Sequence, residues 1–102
     1  MKEQDENLIM AMAKFMGVEL EKRHYADTSF FIKDGKFLPY NPLTNGTQRE
    51  EFYEESKIGI RHLIASNTWS ARVFLGKCTI DKSRTKAGLL CAAAFLNVEW
   101  IG

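Results

Sequence analysis

Three cations stand at the start of a predicted helix near the end of the chain. The stretch DKSRTKAGLLCAAAF covers residues 81–95, and Lys82, Arg84 and Lys86 crowd its beginning. The N-terminus of a helix carries the positive end of the backbone dipole, which disfavours cations and attracts anions. Unpaired amides and basic side chains can together bind a phosphate or a carboxylate there. One interpretation is therefore an anion-binding site formed by Lys82, Ser83, Arg84, Thr85 and Lys86.

A solvated helix start explains the same residues. Asp81 can partly neutralise the cations, and no glycine in this turn lets a ligand approach the backbone closely. Long basic side chains can extend into water and lose only about 0.3–1 kcal/mol against the dipole. We favour this simpler interpretation, in which the hydroxyl of Ser83 or Thr85 caps the helix. The anion site is kept as a hypothesis that charge reversal tests.

No other group of residues has a spacing typical of catalysis or metal binding. Cys78 and Cys91 are far apart, as are His24 and His62, whereas zinc ligands usually come in close pairs. Cys78 alternates in phase with Ile80, and Cys91 lies in an alanine-rich segment, so we expect both thiols to face the core and stay reduced. We predict no metal, no cofactor and no enzymatic activity.

The composition indicates one globular domain, residues 1–102, with no global attraction to nucleic acid or anionic membranes. The chain has 14 basic and 13 acidic residues, a net charge of +1. Its longest apolar run, residues 89–96, is too short to span a bilayer. The N-terminal MKEQDEN lacks a signal peptide's apolar segment, so we expect a cytoplasmic protein with no membrane partner. Nucleic-acid binding is a weaker hypothesis, because the chain has no recognised motif for it. Its basis is a local cluster of basic residues: Arg72, Lys77, Lys82, Arg84 and Lys86.

Apolar periodicity predicts three helices. The first ends at Gly17, a residue that commonly terminates a helix in the left-handed conformation. The second is expected to begin with a capping box at Thr47–Glu50 and to continue to Asn67. The third runs from the basic turn to about Asn97. The apolar face of the second helix would be formed by Phe52, Tyr53, Ile60, Leu63 and Ile64.

Two hairpins are predicted between the helices. SFFIKDGKFLPY has an Asp34–Gly35 turn, whereas residues 18–28 have no clear period and are expected to be a polar connection. TWSARVFLGKCTID predicts either a second short hairpin, with Val73 and Leu75 before a break at Gly76–Lys77, or one bent strand with a bulge. The predicted order is α-β-β-α-β-β-α, an α+β fold with helices packed on a small antiparallel sheet.

The last helix is apolar over a wide arc. One stripe, spaced i, i+3, i+4 and i+7, consists of Gly88, Cys91, Ala92 and Phe95, and a second consists of Ala87, Leu90 and Ala94. One stripe must cover the sheet, while the other needs either the first helix or a second subunit. We keep a homodimer through the first stripe as a hypothesis, because symmetric dimers are the commonest assembly.

Three segments resemble the phage ABA-sandwich domain family of small bacteriophage and prophage proteins. They are NLIMAMAKFMG at the first helix, ARVFLGKCTI at the second strand pair, and TKAGLLCAAAFLNVEW at the last helix. The resemblance extends over the whole chain, but the tryptophan-rich opening of that family's middle helix is replaced here by TQREEFY. The resemblance implies a viral or prophage origin and a cytoplasmic location in the bacterial host. It implies no known enzymatic activity and supplies no catalytic residues.

We therefore expect a phage or prophage accessory protein that acts by binding, with a host protein or a host defence component as its partner. The alternative is a binder that sequesters a nucleotide or another phosphorylated signal, for which the basic helix start is the motivating feature. Nucleic acid is the less favoured partner. An enzyme is the least favoured interpretation.

Overall fold

The computed structural model describes residues 1–73, 76 and 78–102, and within them it has three helices and two antiparallel sheets. Their order is α1 Glu3–Met16, β1 Leu20–Tyr25, β2 Thr28–Lys33, α2 Gly46–Ser56, β3 Ile58–Leu63, β4 Thr68–Val73, β5 Cys78–Asp81 and α3 Arg84–Leu96. The predicted α+β class is confirmed. This order contains one more strand than the predicted order, because β3 lies where the second helix was expected to continue. Leu75 and Lys77 of the predicted second hairpin lie outside the described residues.

Helix α1 buries the apolar face that its periodicity predicts. Leu8, Ile9 and Met12 have no exposed surface. Leu8 and Met12 belong to the main core, shared with α2, α3 and the three-stranded sheet, whereas Ile9 packs with Phe31 in a smaller core beneath the first hairpin. Gly17 ends the helix with a φ of +70°, as predicted.

The first hairpin uses a strand that the sequence analysis assigned to a polar connection. β1 pairs antiparallel with β2, in register from Leu20 opposite Lys33 to Tyr25 opposite Thr28. Its side chains are exposed except at Leu20, so its sequence carries no apolar alternation. The predicted Asp34–Gly35 turn is present, but the chain after it contributes only an isolated bridge, Ile32 with Pro39. A proline has no amide hydrogen to extend a ladder.

The second helix is shorter than predicted. It begins with Asn45, whose side chain accepts a hydrogen bond from the Gln48 amide at 3.0 Å, so Asn45 caps the helix and Thr47 does not. It ends at Ser56, because Lys57 takes a left-handed conformation with φ +63°. The expected continuation to Asn67 was therefore wrong. Residues 58–63 alternate with a period of two, and β-branched isoleucines on either side of a glycine favour a strand over a helix.

Strands β3, β4 and β5 form the second sheet, in that order, with every pair antiparallel. The hairpin alternative for residues 68–81 is confirmed, since β4 pairs with β5. Helix α3 lies against one face of this sheet and ends at Asn97, which has a φ of +57°. Trp100 closes the edge of the main core and donates a hydrogen bond from Nε1 to Asp5 Oδ1 at 2.8 Å.

Candidate functional site

The three-stranded sheet has one face covered by α3 and one face without a covering helix in the described chain. Successive side chains of a strand point to opposite faces. Ala71 and Thr79 are on the covered face: Ala71 is fully buried, and the Thr79 hydroxyl donates a hydrogen bond to Ala87 O of α3 at 2.7 Å. The other face, which we call the open face, contains Gly59, Arg61 and Leu63 of β3, Thr68, Ser70 and Arg72 of β4, and Cys78 and Ile80 of β5.

Strand register places the two arginines of the open face diagonally across β3 and β4. Arg72 is directly opposite Gly59 on one side and Cys78 on the other, and Arg61 is directly opposite Ser70. Diagonal neighbours in an antiparallel pair are about 7–8 Å apart, with their Cβ atoms somewhat closer, so long side chains can reach each other. Each arginine thus faces a small residue, so the space between the two guanidinium groups is not filled by a cross-strand partner.

A hollow of about 430 Å³ lies on the open face as a result. The described residues that line it are Lys57, Gly59, Ile60, Arg61, Leu63, Ser70, Arg72 and Cys78. Among these described residues three are cations and none is an aspartate or a glutamate. Lys57, Arg61 and Arg72 are all exposed. The ion pairs found within the described part of the chain join other residues, namely Lys22 with Glu6, Arg23 with Glu21 and Arg84 with Glu50. The hollow therefore offers concentrated positive charge to a ligand.

Neutral hydrogen-bonding groups lie among these cations. Cys78 is exposed, and its thiol is 3.7 Å from the Ser70 hydroxyl, a weak contact between two groups of the hollow. The hydroxyl of Ser70 can both donate and accept. The prediction that Cys78 faces the core was wrong, because β5 turns Thr79 and not Cys78 toward α3. Cys91 is buried as predicted, and burial raises the pKa of its thiol.

The basic start of α3 is capped by a serine hydroxyl, as predicted. Ser83 is the N-cap, and its Oγ accepts a hydrogen bond from the Lys86 amide at 3.2 Å. The Ser83 amide donates in turn to Asp81 Oδ1 at 2.9 Å. Asp81 thus brings a carboxylate to the same turn, as proposed for the solvated interpretation. Thr85 is inside the first turn and is not the cap.

The three cations at this helix start do not converge on the capped amides. Arg84 Nη1 forms an ion pair with Glu50 Oε1 of α2 at 2.7 Å, and its guanidinium carbon is 6.0 Å from the centre of the Trp69 ring. The side chain of Lys86 extends toward Gly102, near the end of the chain. Lys82 is exposed. Within the predicted group Lys82, Ser83, Arg84, Thr85 and Lys86, the side chains of Arg84 and Lys86 therefore have different neighbours, Glu50 and Gly102.

The local basic cluster is also divided between two sides of the sheet. Arg72 is on the open face, whereas Lys82, Arg84 and Lys86 lie at the start of α3, which covers the opposite face. Lys77 lies outside the described residues. Arg61 and Gly59 were missed by sequence reasoning, because residues 58–63 were assigned to a helix. The signal that could have found them is the period-two alternation of Gly59, Arg61 and Leu63.

The small-residue stripe of α3 is largely used within the chain itself. Gly88, Cys91 and Ala92 are buried in the main core, and only Phe95 of that stripe has substantial exposure, at 39%. Gly88 lies so close to the Tyr53 hydroxyl that a side chain would overlap it. Three of the four residues proposed for a dimer interface therefore contact this chain's own sheet and α2. The homodimer itself remains a prediction.

No family model, no curated protein and no solved structure matches this chain. Within the described residues, no helix combines the length and apolar character needed to cross a membrane. The same residues contain no group of three or more histidine, cysteine, aspartate or glutamate side chains placed to hold a metal ion.

Proposed function

We propose that the protein is a phage or prophage accessory protein that acts by binding an anionic partner through the open face of its three-stranded sheet. The observation that carries the proposal is the hollow lined by Lys57, Arg61 and Arg72, with no carboxylate among its described lining residues. Surfaces of one charge sign attract partners of the opposite sign and speed their encounter. The viral setting rests on the resemblance of three sequence segments, and the site of action would be the cytoplasm of the bacterial host.

Two kinds of partner fit a basic surface of this size. From the sequence alone we expect a host protein, with a nucleotide or another phosphorylated small molecule as the alternative. The volume of the hollow, about 430 Å³, is in the range of small-ligand pockets and supports the small molecule. We therefore propose a sequestering binder as the leading form of the function.

A host protein remains the second candidate on the strength of a different surface. Three large apolar side chains near the first hairpin are strongly exposed: Tyr25 at 79%, Phe37 at 86% and Leu38 at 55%. Arg23 lies beside this group, with its guanidinium carbon 5.8 Å from the centre of the Phe37 ring. Exposed aromatics next to an arginine are typical of protein contact surfaces.

The proposed function is tested in bacteria that carry different phage-defence systems. The protein is expressed in each strain, and the efficiency of phage plating is compared with that of the same strain without it. We expect the wild-type protein to raise plating in at least one strain, and Arg61→Glu with Arg72→Glu to remove the effect. Lys2→Glu with Lys36→Glu is the matched control, since it changes the net charge equally at two exposed lysines away from the hollow.

The proposal is contradicted if the arginine double variant keeps the full plating effect at equal protein level. It is also contradicted if the two double variants lose the effect to the same extent, because net charge and not the open face would then be responsible. Immunoblots establish the protein levels, and circular dichroism of the purified variants establishes that both are folded.

A further inference from the structure

We infer that the hollow on the open face is a phosphate clamp, in which Arg61 and Arg72 bind the phosphate groups of a small phosphorylated molecule from opposite corners. The inference rests on the proposed function and names the ligand class and the residues of that same site. Its occupant is a free small molecule with at least one phosphate or pyrophosphate group, such as a nucleotide.

The diagonal placement of the two arginines favours phosphate over a single carboxylate. A guanidinium presents its donors in a planar fork that matches two oxygens of one phosphate. Because two such forks line one hollow from neighbouring strands, donors are available to more oxygens than one carboxylate carries. A pyrophosphate, with oxygens distributed over two phosphorus centres, can engage both arginines at once.

Small residues form the floor between the two forks. Gly59 contributes no side chain, and a Cβ placed on it would find only the Arg72 carbonyl oxygen, at 3.9 Å. Ser70 adds a hydroxyl that can donate to a phosphate oxygen. The two arginines therefore stand at the rim of a cavity and do not lie on a filled surface.

The third cation is held near the rim by the backbone. Lys57 is the residue that ends α2, and its φ of +63° redirects the chain from the helix into β3. Its amide donates to Glu54 O at 3.4 Å. The base of its side chain is thereby fixed at one end of the hollow, where its ammonium can supply a further positive charge to a ligand with several phosphates.

The size of the hollow agrees with a small ligand. Ligand pockets usually have volumes of about 300–1,000 Å³, and this hollow has a volume of about 430 Å³. A single-stranded nucleic acid would be recognised by bases stacked on aromatic side chains, and none of the described residues that line the hollow is aromatic. On the volume of the hollow we assign the site to a small phosphorylated molecule, and binding of RNA is an outcome that the test distinguishes.

Isothermal titration calorimetry with the full chain tests the clamp directly. The probes are inorganic pyrophosphate and ATP, with adenosine as the uncharged control and a short single-stranded RNA as the competing ligand class. We expect both phosphate probes to bind and adenosine to show no binding. Arg61→Gln with Arg72→Gln should weaken pyrophosphate binding at least about tenfold, since two charge-assisted contacts are lost.

Gly59→Val separates a clamp from a merely basic surface. This change retains all three cations and fills the floor between the arginines, so it should also weaken pyrophosphate binding at least about tenfold. The milder Gly59→Ala is a second variant that keeps the test valid if valine disturbs the sheet, and it should weaken binding less than valine does. Lys2→Gln with Lys36→Gln removes the same number of charges at exposed positions away from the hollow and should bind pyrophosphate within about twofold of wild type.

Four results would overturn the inference. They are absence of binding to both phosphate probes, unchanged binding in the arginine double variant, unchanged binding in folded Gly59→Val, and tighter binding of the RNA than of ATP. If both phosphate probes fail to bind but Arg61→Glu with Arg72→Glu still removes the plating effect, the clamp is wrong and the proposed binding surface stands. If the clamp binds ATP but the plating effect survives that double reversal, the proposed function is wrong and the ligand site stands.

Discussion

Arg72 stands directly opposite Gly59 in the β3–β4 ladder, so no side chain of β3 faces the arginine, and β5 offers it only the small Cys78. On the next row toward the hairpin turn, the relation is inverted, and Arg61 of β3 faces the small Ser70 of β4. The alternation of large and small residues opens the hollow, and register places the two arginines diagonally across it. The site therefore depends on the pairing register, because a shift by one residue would turn these side chains to the other face.

We expect Gly59 to keep the hollow open and to lower the free energy of unfolding relative to a residue with a side chain. Gly59 lies in a strand without a positive φ, and a glycine in a strand interior is destabilising by roughly 0.5–1 kcal/mol. Gly59→Val should therefore raise the free energy of unfolding by about that amount, because β-branched residues favour strands. Urea denaturation followed by circular dichroism measures the change, and a loss of stability would contradict the described geometry of β3.

Gly88 should give the opposite result, because its space is already occupied. A Cβ at this position would overlap the Tyr53 hydroxyl and lie 3.0 Å from Ile60 Cδ1, and Tyr53 itself is buried. Gly88→Ala should destabilise the protein by about 1–3 kcal/mol, as expected for overpacking in a core. Urea denaturation of the single variant and of Gly88→Ala with Tyr53→Leu should show partial rescue in the double variant. An unchanged free energy of unfolding in Gly88→Ala would mean that α3 lies further from α2 than described.

Charge reversal at the start of α3 distinguishes Arg84 from Lys86. Lys86→Glu places an acid in the first turn, where the dipole favours it by roughly 0.3–1 kcal/mol, so the melting temperature should rise. Arg84→Glu gains the same dipole term but loses the ion pair with Glu50 and sets two carboxylates against each other. Both partners of that pair are substantially exposed, so its loss is worth only about 0–1 kcal/mol and the net change should be close to zero or unfavourable.

Neither variant should alter pyrophosphate binding if the open face is the anion site. Calorimetry of Lys86→Glu and Arg84→Glu beside the wild type provides the comparison. Loss of pyrophosphate binding in either variant would mean that the anion site lies at the start of α3.

The two cysteines should differ sharply in reactivity. Cys78 is exposed, whereas Cys91 is buried and its thiol pKa is raised by that burial. Because the thiolate is the reactive form, a maleimide should label one thiol rapidly in the native protein and the second only on unfolding. Cys78→Ser should remove the rapid phase. Since Cys78 lines the hollow, saturating pyrophosphate should slow the labelling of the wild type, and an unchanged rate would count against a ligand in the hollow.

Stability should fall at alkaline pH through two buried tyrosines. Burial raises the pKa of Tyr40 and of Tyr53 to about 12, from an ordinary value of about 10. Between these values the unfolded chain releases phenolic protons that the folded protein retains. The contribution to stability is therefore complete below pH 10 and is lost as the pH rises from 10 to about 12.

Tyr53→Phe isolates one of these two groups. The Tyr53 hydroxyl has no hydrogen-bond partner among the described residues, so its removal should leave the neutral-pH free energy of unfolding unchanged or slightly higher. The alkaline decline should become shallower in this variant. Urea denaturation at a series of pH values between neutrality and 12 checks both points, and an unchanged decline would mean that Tyr53 is not buried as described.

The helices were predictable where periodicity and end signals agree. α1 has a regular apolar face followed by Gly17, and α3 has a serine cap and an asparagine end, so the sequence locates both. The second helix was extended too far, because apolar residues at 60, 63 and 64 also satisfy a helical period. The left-handed Lys57 that ends it has no common sequence signature, since lysine rarely adopts that conformation.

β1 and the open face could not be read from the sequence for related reasons. A strand with almost all of its side chains exposed has no apolar alternation, and β1 is held by pairing with β2 instead. The hollow requires knowledge of cross-strand register, because Arg61 and Arg72 are brought together only by the β3–β4 ladder. The denser run of cations at residues 82–86 suggests a site in the sequence, but Arg84 and Lys86 of that run have different neighbours in the fold.

The most direct test of the open face as the anion site is an amide chemical-shift titration of uniformly ¹⁵N-labelled protein with inorganic pyrophosphate. Our account predicts that the largest shifts fall on the amides of Gly59, Arg61, Ser70 and Arg72, with saturation at a common dissociation constant. The same titration observes the amides of residues 83–86, which should shift little. Saturable shifts confined to residues 83–86, or the absence of saturable shifts anywhere, would contradict it.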